Sequence, residues 1–361
     1  MKRIAVINQK GGVGKTTTTV SLGAALAHKG HKVLLLDLDP QANLTVHVDK
    51  RPDLEGNTMT TLLLEDAKIR DLVLETATPG LFVVPSDSSL AGVEQVLANR
   101  IGRETILREA LEAWEEQDGG SEFDFVLFDC PPSLGVLSAN VLVAADRVVI
   151  PMQAEFLSLQ GMAKLLEVIQ LVQKRLNQQL DIACVLPCMV DGRTNLSAEV
   201  LREIGEHFGP LLATTRIRNN VKLAEAPSFG RTIFEHAPES NGALDYAEFA
   251  DEFLRLMGLA PPLPATSPDE NDVDEDEDDE GAPGADENIE LAGFVARPGP
   301  IVDVPGTEPD VDDIAEAETI PAAATPKSAG SETAMPAADT AADTPAESPE
   351  RATEIEREAD A

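Results

Sequence analysis

The chain is short of the features that mark secreted and membrane-spanning proteins. It has three cysteines, Cys130, Cys184 and Cys188, in 361 residues, too few for a disulfide framework. A reducing cytosol is therefore the expected compartment. No apolar run reaches the ~18 residues that a spanning helix requires. The opening MKRIAVINQKGG turns glycine-rich after a short apolar run and reads as a strand rather than a signal peptide. Aromatics make up 4% of the chain, with one Trp and one Tyr. The five histidines are scattered, with no H-E-x-x-H and no nucleophile-triad pattern. The C-x3-C spacing of Cys184 and Cys188 is not a recognisable metal pattern.

Positive charge is scarce as well. There are 28 Lys and Arg against 64 Asp and Glu, a formal net charge of −36. Residues 1–260 hold 24 basic and 35 acidic residues; residues 261–361 hold 4 and 29, with 14 of the 25 prolines. A segment so charged and so poor in apolar side chains cannot offset its ordering entropy by burial. The sequence thus predicts one globular domain over 1–260 and a disordered acidic Pro/Ala-rich tail over 261–361. The acidity fits either a basic partner or a halophilic adaptation to high internal salt. Scarce lysine, 11 against 17 arginines, and an acidic folded part favour the second. A net −11 over 1–260 gives nucleic-acid binding no support from composition.

What is abundant is a repeated alternation of short apolar runs and helical patterns. RIAVIN (3–8), KVLLLDLD (32–39), LFVVPS (81–86), FDFVLFD (123–129), RVVIPM (147–152), DIACVLP (181–187) and LLATTRI (211–217) read as strands. Most are apolar without alternation, as in parallel sheets covered on both faces. Helical patterns separate them at 16–28, 103–116, 158–176, 196–208 and 243–257. The expected fold is α/β, a mostly parallel doubly wound sheet, and the loop that follows its first strand makes it one of the P-loop NTPase type.

Between the first strand and the first helix stands Gln9-Lys10-Gly11-Gly12-Val13-Gly14-Lys15-Thr16-Thr17. Glycines let the backbone turn its N–H groups inward on an anion, and the helix adds its positive end. Lys10 through Thr17 are the expected phosphate-binding residues. Lys15 would reach the β- and γ-phosphates, and the Thr16 hydroxyl would ligate Mg²⁺. Gln9 breaks the usual G-x-x-x-x-G-K-[ST] pattern, and Lys10 supplies the deviant Walker A form, K-G-G-x-G-K-[ST]-[ST].

Three carboxylates are expected near this loop. Asp37 and Asp39 end the second strand on one face, since strand period is two. Pro40-Gln41 then turn the chain at the edge where open α/β sheets bind ligands. Asp129 closes FDFVLFD, an acid at the end of an apolar strand that would contact Mg²⁺ directly or through water. Cys130 reads as a small apolar filler.

INQKGGVGKTTTTVSLGAALA, VLLLDLDPQANLT, FVLFDCPPSLG, VIPMQAEFLSLQGMAKLL, MVDGRTNLS and NNVKLAEAPSFGRTI follow in order along 1–260. With these motifs the chain resembles the ParA/MinD family of deviant-Walker ATPases, and more closely the ParA/Soj partition ATPases. The resemblance implies ATP and Mg²⁺, with Lys10, Lys15, Asp39 and Asp129 in catalysis. Asp39 would orient the attacking water, and Asp37 would support the metal with Thr16 and Asp129. Lys10 would reach across an ATP-bound homodimer to the partner's phosphates. The resemblance also implies nonspecific DNA binding by the ATP dimer, through Arg193, Arg218 and Lys222, with Arg216 and Arg231 contributing less. The family's I-P-R-N-V-R falls on Ile217-Arg218-Asn219-Asn220-Val221-Lys222, so its first arginine meets Asn219. A ParB-like or other small partner would stimulate hydrolysis, in the cytoplasm and on the nucleoid. Alternatives are a relative that positions another cargo, a non-hydrolysing scaffold, and a MinD-like membrane-cycling ATPase. The last needs a basic amphipathic C-terminal helix that the tail lacks.

Overall fold

The protein is described by a computed structural model over residues 1–51, 57–117, 120–153, 158–191 and 195–260. The expected tail, 261–361, lies outside the described residues.

Seven strands form one sheet: β1 (Lys2–Val6), β2 (Val33–Asp37), β3 (Leu74–Glu75), β4 (Leu81–Val84), β5 (Phe125–Asp129), β6 (Arg147–Gln153) and β7 (Asp181–Cys188). Their order is β3-β4-β2-β5-β1-β6-β7. All neighbours are parallel except the two-residue β3, which runs antiparallel to β4 at the edge. The mostly parallel α/β sheet is the architecture that the apolar runs predict.

Helices cover both faces. They are α1 (Lys15–His28), α2 (Asn43–His47), α3 (Met59–Glu65), α4 (Ile69–Leu72), α5 (Val93–Leu97), α6 (Ile106–Gln117), α7 (Val136–Ala144), α8 (Ser158–Arg175), α9 (Asn195–Phe208), α10 (Val221–Glu225), α11 (Ile233–His236) and α12 (Asn241–Leu256). Successive strand residues point to opposite faces. Ala5, Leu34, Leu36, Val126 and Phe128 therefore pack with α3 and α5 to α9, while Ile4, Val6, Val33, Leu35, Phe125 and Leu127 pack with α1, α2 and α12. A Cβ on Gly23 of α1 would lie 2.7 Å from Leu35 Cδ2, so glycine lets α1 lie close against β2. Among the described residues, no helix is long and apolar enough to cross a membrane.

The predicted strand at 211–217 is not one. The segment lies beside β7 and bridges it at Val185 to Leu212, with a second isolated parallel bridge just beyond both, Val190 to Arg218. Between them the Thr214 and Thr215 amides donate instead to the Glu252 carboxylate of α12, at 2.7 and 2.8 Å. Pro187 of β7 has no N–H to offer in return. A carboxylate thus replaces a ladder in the middle of the segment.

Candidate functional site

Parallel strands place their carboxyl ends at one edge, and β2 and β5 each end there on an aspartate. Val6, Asp129 and Asp37 are paired in register, so they form one row across three strands. The Leu38 amide donates to the Asp129 carbonyl at 3.0 Å and carries that order one residue past β2.

The glycine loop leaves β1 along β6. The Ile7 amide donates to the Val149 carbonyl at 3.1 Å. Asn8 is buried and makes two fixing bonds: its Nδ2 donates to the Pro151 carbonyl at 2.8 Å, and its Oδ1 accepts the Lys10 amide at 3.0 Å. Gly12 and Gly14 have φ of 75° and 90°, a region that side chains disfavour. Gly14 then caps α1, accepting the Thr18 amide at 2.8 Å. Lys15 is buried beneath the loop, with Nζ donating to the Lys10 carbonyl at 3.2 Å. Burial holds its ammonium below the usual lysine range, opposed by the charges of Asp129, Cys130 and Asp39. Gly11 and Gly12 are exposed, Val13 is fully buried, and Lys10, Thr16 and Thr17 are half-buried.

The Thr16 hydroxyl donates to Asp129 Oδ2 at 2.7 Å. Asp129 Oδ1 is buried with no hydrogen-bond partner. Burial, and then the nearby Asp37 charge, push the Asp129 carboxyl well above the usual range, against the pull of Thr16 and Lys15. A buried acceptor without a donor is costly, and a divalent cation at Oδ1 would remove that cost. Among the described residues, no group of three or more His, Cys, Asp or Glu is arranged to hold a metal alone. One hydroxyl and one carboxylate instead suit Mg²⁺ arriving with phosphates, which supply its other ligands.

Asp37 is fully buried, and its oxygens serve the backbone. Oδ1 accepts the Asp39 amide at 3.1 Å; Oδ2 accepts the Thr45 amide at 2.9 Å and the Thr45 hydroxyl at 2.7 Å. Burial raises its carboxyl to about 6 against those three bonds, with the Asp39 charge adding to the rise. Asp39 is 8% exposed; its Oδ1 accepts the Gln41 amide at 2.9 Å and its carbonyl accepts the Ser86 hydroxyl at 2.9 Å. Cys130 is fully buried, and burial pushes its thiol well up. Cys184 and Cys188 are likewise buried, free thiols.

The sequence brings Lys15, Thr16, Asp37, Asp39 and Asp129 to one edge but gives no warning of Asn8, Thr45 or Ser86. Thr45 does close the run VLLLDLDPQANLT; Ser86 lies 41 residues further along the chain from it.

The basic candidates lie elsewhere. Arg193 falls outside the described residues. Arg218 holds Asp245 through Nε at 3.0 Å and Nη2 at 2.5 Å, and its amide donates to the same carboxylate at 2.9 Å. Lys222 Nζ pairs with Glu225 at 2.8 Å. Arg216 and Arg231 are exposed.

A family model described as AAA domain matches residues 1–182. Sporulation initiation inhibitor protein Soj of Bacillus subtilis (strain 168) is 45% identical over 252 residues, covering 70% of this chain and 97% of that protein. Chromosome-partitioning ATPase Soj of Thermus thermophilus is 44% identical over 254 residues, covering 70% and 96%. Among solved structures, cobyrinic acid a,c-diamide synthase from Mycobacterium smegmatis with bound ATP analog and magnesium is 39% identical. Its TM-score is 0.61, and the match covers 72% of this chain and 96% of that one.

Proposed function

The chain belongs to the ParA/Soj family of deviant-Walker P-loop ATPases, and from that premise we propose that it is a partition ATPase working as an ATP-dependent dimer. It binds ATP with Mg²⁺ and hydrolyses it to ADP and phosphate. One observation carries the reading: beneath a glycine loop, the Thr16 hydroxyl meets Asp129, whose Oδ1 is buried and unpartnered, beside a buried Lys15.

Each residue then has a task. The N–H groups of Lys10 to Thr17 and the Lys15 ammonium hold the phosphates. Thr16 and Asp129 hold the ion, and Asp37 keeps the neighbouring loop in place. Mg²⁺, when bound, neutralises charge that develops on the phosphoryl oxygens. Asp39 orients the attacking water, since positioning supplies much of what phosphoryl transfer needs. Lys10 acts on the phosphates of the second copy in the dimer, as an arginine finger does.

In this reading the ATP dimer binds DNA without sequence preference through Arg193, Arg218 and Lys222. A ParB-like partner stimulates hydrolysis, which opens the dimer and releases the DNA. Differential affinity between the two states drives the cycle. Its place is the cytoplasm, on the nucleoid, and three free buried thiols fit that setting. A second reading is an ATPase that positions a cargo other than DNA. The pairing of Arg218 with Asp245 and of Lys222 with Glu225 favours it, because both cations already have partners.

The test is phosphate release and size-exclusion chromatography with MgATP. Wild type hydrolyses ATP with no acceptor substrate present, which separates it from a synthase. Asp39→Ala binds ATP, hydrolyses it about 100-fold more slowly and elutes as a dimer. An Asp39→Ala protein with the wild-type rate refutes the water-orienting role.

A further inference from the structure

The loop that carries Asp39 is closed into a ring by side chains from three separate segments. Asp37 Oδ1 accepts the Asp39 amide at 3.1 Å. The Asp39 carbonyl accepts the Ser86 hydroxyl at 2.9 Å. The Ser86 amide donates to Thr45 Oγ1 at 2.9 Å, and that hydroxyl donates to Asp37 Oδ2 at 2.7 Å. The Thr45 amide adds a second bond to Oδ2 at 2.9 Å. Asp37, Thr45 and Ser86 are fully buried.

We propose that Thr45 is a positioning residue for ATP hydrolysis, its hydroxyl joining the Asp37 carboxylate to the Ser86 amide and so fixing the loop that aims Asp39. This rests on the water-orienting role of Asp39 proposed above.

The hydroxyl's one proton goes to Asp37, and its oxygen accepts the Ser86 N–H, so both of its capacities are used in fixed directions. Valine matches threonine in shape but can do neither. In Thr45→Val the Ser86 amide loses its acceptor and Asp37 Oδ2 keeps only the Thr45 amide. Buried groups left without partners shift until they find others. The ring then loses the constraint that sets where the Asp39 carboxylate stands. In-line attack tolerates little displacement; misplacing a group by about 1 Å costs about 100-fold in rate. Phosphate binding depends on the loop of Lys10 to Thr17, whereas the ring's hydrogen bonds run among Asp37, Asp39, Thr45 and Ser86. The ring therefore acts on turnover and not on ATP affinity. Serine carries the same donor and acceptor, so Thr45→Ser restores most of the function.

The experiment measures MgATP affinity by titration and kcat by phosphate release, on the full chain, for wild type, Thr45→Val, Thr45→Ser, Ser86→Ala and Asp39→Ala. The expected kcat falls about 30-fold or more in Thr45→Val, with the dissociation constant within about 3-fold of wild type and Thr45→Ser within about 3-fold in kcat. A Thr45→Val kcat near wild type overturns the proposal. So does a matching loss of ATP affinity, or a Thr45→Ser protein as slow as Thr45→Val. Should Thr45→Val fail to fold, Ser86→Ala decides: it removes the ring's bond to Asp39, so kcat about 10-fold down supports the ring and an unchanged kcat refutes it. Asp39→Ala separates the two readings. A slow Asp39→Ala beside a normal Thr45→Val refutes only the ring, whereas an Asp39→Ala protein at the wild-type rate refutes the role on which the ring rests.

Discussion

At the carboxyl ends of β2 and β5, Asp37 and Asp129 lie buried side by side, and neither forms an ion pair with a described residue. Along residues 216–231, Arg218 and Lys222 are half-exposed, and each already holds a carboxylate of its own chain. The first region carries the unfavourable terms: an unpartnered Oδ1, a desolvated ammonium and two carboxyls pushed upward. The second carries an exposed ion pair, Lys222 with Glu225, worth about 0–1 kcal/mol, and a forked pair in which Arg218 covers the buried Asp245. Strain of the first kind persists when a ligand relieves it; charges of the second kind must give up partners before they serve another. The helix α2 joins the two regions. Its Thr45 bonds to Asp37, and its far end packs on residues 226–236, where a Cβ on Gly230 would meet Asp49 Cβ at 2.8 Å.

The largest effect expected is at the first region. Lys15→Ala removes the cation that a buried phosphate group would meet, and charge-assisted bonds are the strong ones. ATP affinity measured by titration falls at least 100-fold, equivalent to about 2.7 kcal/mol. An affinity within a few-fold of wild type removes the loop from phosphate binding and erases the contrast between the regions.

The joint gives a smaller effect, read through pH. His47, at the end of α2, is buried, and burial lowers its pKa from 6.5 to about 4 against the Arg231 backbone and the Glu235 charge. The unfolded chain therefore takes up the proton first. The stability that this neutral histidine contributes is present above about pH 6.5 and is lost as pH falls toward 4. From pH 7.5 to 5 the loss is about 2 kcal/mol. Asp37 and Asp129, with raised values, act in the opposite direction, so His47→Gln serves as the reference in denaturant melts at the two pH values. Wild type loses about 2 kcal/mol more than the variant over that interval. Equal losses would mean that His47 is protonated or solvated in the fold.

How much of this the sequence reveals depends on the range over which the cause acts. The phosphate loop and the acids ending β2 and β5 are legible because strand, turn and helix follow one another within a few residues, and parallel sheets put ligands at the carboxyl edge. The strands are legible as apolar runs covered on both faces. The helix α7, VLSANVLVA, is almost wholly buried and so lacks the polar stripe that distinguishes helix from strand. Residues 211–217 carry strand-forming side chains, but Glu252, 37 residues beyond Thr215, claims the amides. The ring through Ser86 and the pairing of Arg218 with Asp245 depend likewise on residues brought together only by the fold. The reading of Asp37 as a metal-side acid follows from its place at the strand end, whereas its three bonds to Asp39 and Thr45 are seen only in the fold.

The smallest effect is at the second region. If Arg218 and Lys222 meet DNA phosphates, each lost contact flattens the slope of log affinity against log salt by about one. Binding of the Asp39→Ala ATP dimer to nonspecific duplex, over a range of salt, is compared with the same dimer carrying Arg218→Glu and Lys222→Glu. A slope reduced by about four, two contacts from each protomer, supports the DNA surface. Equal slopes leave both side chains to Asp245 and Glu225 and move the cargo reading forward.

Asp129, at the centre of the row across β2, β5 and β1, is proposed to hold Mg²⁺ brought with ATP. Titration of ATP into wild type and Asp129→Ala, each with Mg²⁺ and with EDTA, tests it most directly. Wild type should bind ATP at least 10-fold more tightly with Mg²⁺, and Asp129→Ala should lose most of that difference, about 1.4 kcal/mol or more. The same Mg²⁺ dependence in both proteins would contradict the account, because the ion would then be held without Asp129.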